Sequence, residues 1–513
     1  MRLLRDAATK AGRGSLDGPS PSTHDDYWAT GRPTSLAQRY QASEWSPMSR
    51  RAERQRPHLE QPRPGRSVAR GHSGPLTIHP TNPRYFADGS GKAIYLTGSH
   101  TWNNLQDMGM GDPPPAFEFD AYLDFLVRHH HNFIRLWRWE QVAWELTASV
   151  EWTAGYGVFA VGPHPWARPG PGTALDGKPK FDLATFDPAY FDRLRSRIEA
   201  AGERGIYVSV MLFEGWAPWH IAWGSHPFHK ANNVNDIDGD ADGDGRGLET
   251  HTLNLPAVTR LQEAYVRRVI DTVGDLDNVL YEIANESGTY SIEWQYHLIR
   301  LIKEIEGTRP KQHPVGMTFV FPKGPNAEPG SMEPLVASPA DWISPSGTEY
   351  RDDPPPADGK KVILNDTDHL WGIGGTVDWA WKSFCRGMHP IFMDPYENRL
   401  LGRDSPDQWD PLRGSLGQTL RLAEQMNLAS MTPQGGLAST GYCLADVGRE
   451  YLVYVPDGEE ITVDLTATPG LVTAEWLHPV HGTAMPGGTI GGGANRTVRL
   501  PSKGPTVLHL ANG

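Results

Sequence analysis

The chain has little cysteine, no long apolar run and no excess of positive charge, and each lack excludes a class of protein. Only Cys385 and Cys443 occur in 513 residues, so a disulfide scaffold is excluded and one bridge is the most that can form. No run reaches the roughly 18 apolar residues a membrane-crossing helix needs, so no membrane partner is expected. A formal charge of −13 argues against nucleic acid or an anionic surface as the main partner. What the chain has in quantity is tryptophan, 18 residues, and aromatic faces serve either as core or as ligand platforms.

Residues 1–72 stand apart. They hold 13 Lys/Arg against 7 Asp/Glu, are rich in Arg, Pro, Ser and Gln, and show no apolar periodicity, so they are expected to be a disordered or non-native extension. No apolar segment marks a signal peptide. A misplaced start is favoured over a flexible basic arm, and cytoplasmic and secreted locations both stay open.

From residue 74 the texture becomes that of a folded domain. Residues 76–78 and 85–86 read as a small β-hairpin. Apolar runs then alternate with helical spacing, with strands expected at 93–97, 132–139, 206–213, 279–285, 315–321, 341–344, 361–365 and 390–393. Helices are expected at 117–131, 188–205, 257–273, 292–305, 377–386 and 418–428, with insertions at 144–180 and 226–254 and an unreadable Pro-rich stretch at 324–356. Strand-then-helix units of this kind, with continuous apolar strands, predict an α/β fold, a (β/α)8 barrel over 73–432. After Thr432 only short strands divided by Gly, Pro and Asp turns follow, which predicts a small antiparallel β-sandwich over 433–513.

In such a barrel the side chains just past the strands share one mouth. They include His100, Trp102 and Asn103 after the first strand and Arg135 with Trp137 on the second. Glu214 and Trp216 follow the third, and Asn285 and Glu286 the fourth. Asp366, Asp368, His369 and Trp371 follow the seventh. A carboxyl beside an amide suits glycoside chemistry, where one acid protonates a leaving oxygen and a neighbour holds a sugar hydroxyl. The competing reading of Asn285 and Glu286 is a helix start, with capping and dipole roles. The tryptophans, Trp139 among them, are individually better explained as core or wall, and as a group at strand ends they favour a carbohydrate site. His100 and His369 either bond a sugar or support a carboxylate, and they lack a recognisable metal-ligand spacing.

Ile283-Ala-Asn-Glu286 resembles the strand-four Asn-Glu signature of the glycoside hydrolase clan of (β/α)8 barrels with two catalytic carboxylates. Tyr85-Phe-Ala-Asp-Gly-Ser-Gly-Lys-Ala-Ile-Tyr-Leu-Thr-Gly98 and Val362-Ile-Leu-Asn-Asp-Thr-Asp-His369 are similar to the apiosidase-like group of that clan. Glu475-Trp-Leu-His-Pro-Val-His-Gly482 is similar to a phrase of the C-terminal module that group carries, a module named for collagen binding. The resemblance implies that Glu286 is the general acid/base and that Asn285 binds the hydroxyl next to the anomeric carbon. It also implies an arginine near the nucleophile, matched by Arg135, for which a structural ion pair is the alternative. Strand seven departs from the clan, which has Glu there. Asp366 and Asp368 form an i, i+2 pair, with Asp368 read as nucleophile and Asp366 as its orienting partner. Their order, and a retaining against an inverting outcome, stay open. No cofactor is expected for catalysis.

One further motif is sharp. Asp238-Gly-Asp-Ala-Asp-Gly-Asp-Gly-Arg-Gly-Leu-Glu249 matches the calcium loop of EF-hands, without the paired helices. Asp238, Asp240, Asp242, Asp244 through its carbonyl, and Glu249 are the expected ligands of a structural Ca2+, against a solvated acidic turn. The expected function is hydrolysis of glycosidic bonds in a carbohydrate partner. The alternatives are a non-catalytic carbohydrate- or matrix-binding protein, and a metal-dependent hydrolase using His100, Asp366, Asp368 and His369.

Overall fold

The computed structural model describes residues 72–146, 157–216, 222–323, 329–397, 400 and 405–512. Expectations for 1–71, for 147–156 in the first insertion and for 324–328 lie outside the described residues.

Eight parallel strands form the centre: β1 (Gly98–His100), β2 (Phe133–Leu136), β3 (Tyr207–Glu214), β4 (Val279–Asn285), β5 (Val315–Thr318), β6 (Trp342–Ser344), β7 (Val362–Asp366) and β8 (His389–Met393). Their order is β1-β8-β7-β6-β5-β4-β3-β2, a near-closed barrel. Between β1 and β2 the circle is completed without a regular ladder. Asn132 N donates to Thr97 O at 3.0 Å, and Thr97 N donates to the Asn132 Oδ1 at 2.9 Å. Gly98 permits this approach, because a Cβ there would meet Phe133 O at 2.2 Å. Nearly every strand residue is buried, as strands covered on both faces require.

Among the described residues eight helices alternate with the strands: α1 (Phe119–Arg128), α2 (Pro188–Gly202), α3 (Pro256–Val273), α4 (Ile292–Glu306), α5 (Glu333–Ala337), α6 (Thr348–Asp352), α7 (Val377–Cys385) and α8 (Asp410–Gln425). Each long helix buries one stripe; in α1 this is Phe119, Tyr122, Leu123 and Leu126, the i, i+3, i+4, i+7 spacing of an amphipathic helix. No helix among the described residues is long and apolar enough to cross a membrane.

The structure moves two expected elements and adds a sheet that had not been expected. The expected first strand at 93–97 divides: Ala93–Ile94 completes a small antiparallel sheet with Thr77–Ile78 and Phe86–Ala87, and the barrel strand begins at Gly98, paired with Ile391. The closing helix starts at Asp410 rather than 418, although Gly414 and Gly417 look like breakers in the sequence. Both glycines are contacts: a Cβ on Gly417 would meet His129 O at 2.0 Å, and one on Gly414 would meet Val480 O at 2.9 Å. The first insertion is not featureless. Asp107–Met110, Gly157–Gly162 and Ala143–Leu146 pair into a three-stranded antiparallel sheet.

After the barrel a six-stranded antiparallel sheet and a two-stranded one, Glu460–Asp464 with Asn495–Arg499, share a single apolar cluster that includes Tyr451, Val453, Ile461, Val463, Val472 and Trp476. The sequence pattern misses two of these strands: Thr432–Pro433, and Ala484–Gly491, whose Gly- and Pro-rich residues run along the sheet edge. The sheets are fastened to the barrel. Pro479 O accepts hydrogen bonds from Trp381 Nε1 and Ser415 Oγ, both at 3.0 Å. The Glu475–Gly482 phrase thus docks on α7 and α8. Cys385 and Cys443 are both buried free thiols, so the one conceivable disulfide is not made.

Candidate active site

The buried guanidinium of Arg135 on β2 ties three strand ends together. Its Nε and Nη2 donate to Glu282 on β4 at 2.8 and 2.6 Å, and Nη2 also donates to Asn285 Oδ1 at 2.7 Å. Nη1 donates to Asp366 Oδ2 at 3.0 Å and to Asp368 Oδ2 at 2.9 Å. Only 2% of Arg135 is exposed. Burial opposes its charge, but Glu282 and Asp366 hold its pKa well above the ordinary value. The ion-pair reading of Arg135 is met, and the carboxylates it pairs with include both Asp366 and Asp368.

Two histidines set the orientation of this layer. Trp137 Nε1 donates to His100 Nδ1 at 2.7 Å, so the ring proton sits on Nε2, which donates to Asp366 at 2.9 and 3.1 Å. Asp368 N donates to Asp366 Oδ1 at 3.0 Å. Burial alone would raise the Asp366 pKa; the His100 ring and the Arg135 guanidinium hold it well below the usual carboxylate range. On the other side Ser344 Oγ lies 2.8 Å from His369 Nδ1, and His369 Nε2 lies 3.0 Å from Asn285 Oδ1. Burial, then Arg135, push the His369 pKa down to about 3. Since arginine only donates, Asn285 Oδ1 faces Arg135 and His369, which leaves Nδ2 of the amide as a donor. Both nitrogens of His100 and His369 are engaged, so neither ring has a lone pair free for a metal ion.

Asp368 and Glu286 differ from Asp366 in having few donors. Burial raises Asp368 to about 6, with Arg135 opposing and Asp366 reinforcing. Glu286 follows β4 with φ at +47°, a left-handed conformation rare for a non-glycine residue. It is 4% exposed, its Oε2 has no hydrogen-bond partner, and burial raises its pKa to about 8, against the opposing charge of Lys323. The barrel mouth therefore holds one carboxyl stabilised as the acid, one as the anion, and one between them.

Sequence reasoning missed a second buried network behind Glu286. Glu140, just past β2, accepts at Oε1 from Glu214 N and faces His251 Nε2, both at 3.0 Å; His226 Nε2 lies 3.3 Å from Oε2. His251 Nδ1 is 3.0 Å from Ser287 Oγ, next to Glu286. Despite burial, Arg138, then His226 and His251, hold the Glu140 pKa well below its ordinary value. Glu140 had a signal, its place at a strand end. Ser287 and Lys323 also lie just past expected strand ends, whereas His226 and His251 had no such signal, because an insertion brings them in.

The remaining predicted residues divide. Glu214 is buried, and its Oε1 accepts from Trp216 N at 2.5 Å. Trp102, Trp137, Trp139 and Trp216 form one aromatic cluster with Phe159 and Met393. Trp102 packs 5.0 Å from Trp139 and 5.6 Å from Trp216, centroid to centroid. Asn103 is buried just past β1. Trp371 lies elsewhere, edge-on to Trp379 of α7 at 5.7 Å in a separate cluster.

In the acidic loop the carboxylate oxygens of Asp240, Asp242 and Glu249 come within 4.8 Å of one another. Asp240 Oδ1 is buried without a hydrogen-bond partner, while Oδ2 accepts from Gly245 N at 3.1 Å. The Asp238 carboxylate is not in this group, lying 3.9 Å from Lys230 Nζ; Asp244, expected to contribute its backbone carbonyl, has its Oδ1 accepting from Arg246 N at 2.9 Å. The donor set is all oxygen, which fits a hard cation.

A protein-family profile described as "Domain of unknown function (DUF6298)" matches residues 159–320, which span β3, β4 and β5. No curated protein matches the chain significantly. Among solved structures, a glycoside hydrolase family 5 protein from Bacteroides vulgatus ATCC 8482 superposes with a TM-score of 0.55 at 13% identity, over 86% of this chain and 94% of that one. Another, described as "Glycoside hydrolase", gives 0.52 at 12% identity over 86% of this chain and 97% of that one. At these identities the likeness shows the fold, a near-closed parallel barrel that glycoside hydrolases share.

Proposed function

We propose that the protein is a glycoside hydrolase with Glu286 as general acid/base and Asp368 as nucleophile. The observation that carries this reading is the division of charge in one mouth: a buried Glu286 stabilised in its protonated form opposite an Asp368 bonded to Arg135. In the first step an Asp368 oxygen bonds to the anomeric carbon as the glycosidic C–O bond breaks, and the Glu286 proton goes to the leaving oxygen. In the second, Glu286 takes a proton from water, whose oxygen displaces Asp368. Asp366 holds the Asp368 backbone, and the Asn285 amide donates to the neighbouring sugar hydroxyl. The aromatic cluster supplies a face for a sugar ring. The apiosidase-like phrases favour pentofuranose-containing glycans as substrate.

The test is hydrolysis of a panel of aryl glycosides, pentofuranosides included. Glu286→Gln is expected to lower turnover by about 10²–10⁴-fold, and Asp368→Asn to abolish it. Full activity in Glu286→Gln would overturn the assignment.

We also propose a structural calcium ion held by Asp240, Asp242 and Glu249. It would order the insertion that carries His226 and His251 to Glu140, and would take no part in the chemistry.

A further inference from the structure

Lys323 stands at the end of a short segment that follows β5 and is bound to the chain just past β4. Phe321 N donates to Ser287 O at 3.0 Å, Thr289 N donates to Phe321 O at 3.0 Å, and Lys323 N donates to Phe321 O at 2.8 Å. These bonds turn the lysine side chain inward, where 1% of the residue is exposed. Its Nζ donates to the backbone carbonyl of Glu286 at 2.6 Å and lies 3.6 Å from Glu286 Oε2. It also stands 5.4 Å from the centre of the Phe321 ring, within cation–π range.

A buried ammonium is costly unless it is partnered, so its position calls for a role. Glu286 has two needs that this one group meets. Its backbone is held in the left-handed region, a conformation that persists only where surroundings constrain it. Its carboxyl must lose a proton in a dry site, where a bare carboxylate is unfavourable.

We propose that Lys323 is the positioning residue of the acid/base: it pins the strained Glu286 peptide through the carbonyl and supplies the charge that stabilises the carboxylate left after proton donation. This rests on the reading of Glu286 as acid/base. Other charges around the pair are fixed. Glu286 also faces Asp368 from the turn after β7 and Arg135 from β2, and Lys323 also faces Glu214 from β3 and Asp368. Burial lowers the Lys323 pKa, and Glu286 followed by Glu214 oppose that fall. Lys323 is the nearer of the two cations to the Glu286 carboxyl and the one that makes no hydrogen bond to either strand-seven aspartate among the described contacts.

Two substitutions separate the two tasks. Lys323→Gln keeps a donor for the Glu286 carbonyl but removes the charge, whereas Lys323→Met removes both. The Glu286 carboxyl is titrated directly by 13C NMR in protein labelled at glutamate Cδ, with Glu286→Gln assigning the signal. In Lys323→Gln the Glu286 midpoint is expected to rise by about one to three pH units, and the alkaline limb of kcat/KM with it. Lys323→Arg is expected to hold the midpoint near the wild-type value. A Glu286 midpoint unchanged in Lys323→Gln would overturn the inference, whatever the turnover does. A shifted midpoint in a protein that hydrolyses no glycoside would keep the inference about Lys323 and sink the glycosidase reading instead. If Lys323→Met alone fails to fold, the pinning of the Glu286 peptide is supported and Lys323→Gln still decides the charge.

Discussion

Asp366 and Asp368 accept hydrogen bonds from the same nitrogen of Arg135, at 3.0 and 2.9 Å, yet their pKa values are shifted in opposite directions. Asp366 adds His100 and the Asp368 amide to that bond and is kept firmly ionised. Asp368 has the arginine and a more distant His369 at 3.5 Å, and burial raises it. The division of labour between the two comes from donors, not from depth, since both are buried.

The pH dependence of activity follows from this division. In the proposed mechanism Asp368 attacks as a carboxylate, so kcat/KM should be lost as pH falls through about 6. Glu286 must carry its proton, so kcat/KM should be lost again as pH rises through about 8. A bell-shaped profile with those two limbs is expected, the values belonging to the interacting set. A single limb would count against the two-carboxyl mechanism.

Substitution separates the aspartates. In Asp366→Asn an amide nitrogen must meet donors from His100, Arg135 or the Asp368 backbone, and the fold should lose roughly 3–5 kcal/mol. Asp368→Ala should melt near the wild type but turn over nothing. Azide should restore glycosyl transfer to it if the enzyme is retaining, with the glycosyl azide seen by mass spectrometry.

Arg135→Met should be more damaging than either. It strands Glu282, Asp366 and Asp368 in the interior without their shared cation, at a cost of about 3–5 kcal/mol or more. Loss of soluble protein or a large fall in melting temperature is the expected result. A variant of near-normal stability would show that these carboxyls are neutral in the wild type.

Calcium should act on stability. A ligand at 100 times its Kd adds about 2.7 kcal/mol, so chelation should lower the melting temperature and added Ca2+ should restore it. Asp240→Asn and Glu249→Gln should abolish the response, and terbium luminescence should report binding directly. An unchanged melting curve under chelation would leave the loop an acidic turn.

The sequence by itself determined the barrel and most of its strand ends. The reason is local: parallel strands buried on both faces are continuous apolar runs, and the polar residues that follow them must lie at one mouth. Thus Glu286, Asp366, Asp368, Arg135 and Asn285 were legible as a group. The starts of α8 and β1 were misplaced where Gly414, Gly417 and Gly98 make contacts, because close approach between distant segments leaves no local signature. Only the tertiary structure decided which aspartate is saturated with donors, which way the Asn285 amide faces, and that Lys323, His251 and Ser287 stand behind Glu286. These depend on hydrogen bonds between residues tens to hundreds of positions apart, and burial, which sets the charge of each carboxyl, exists only once the chain has folded.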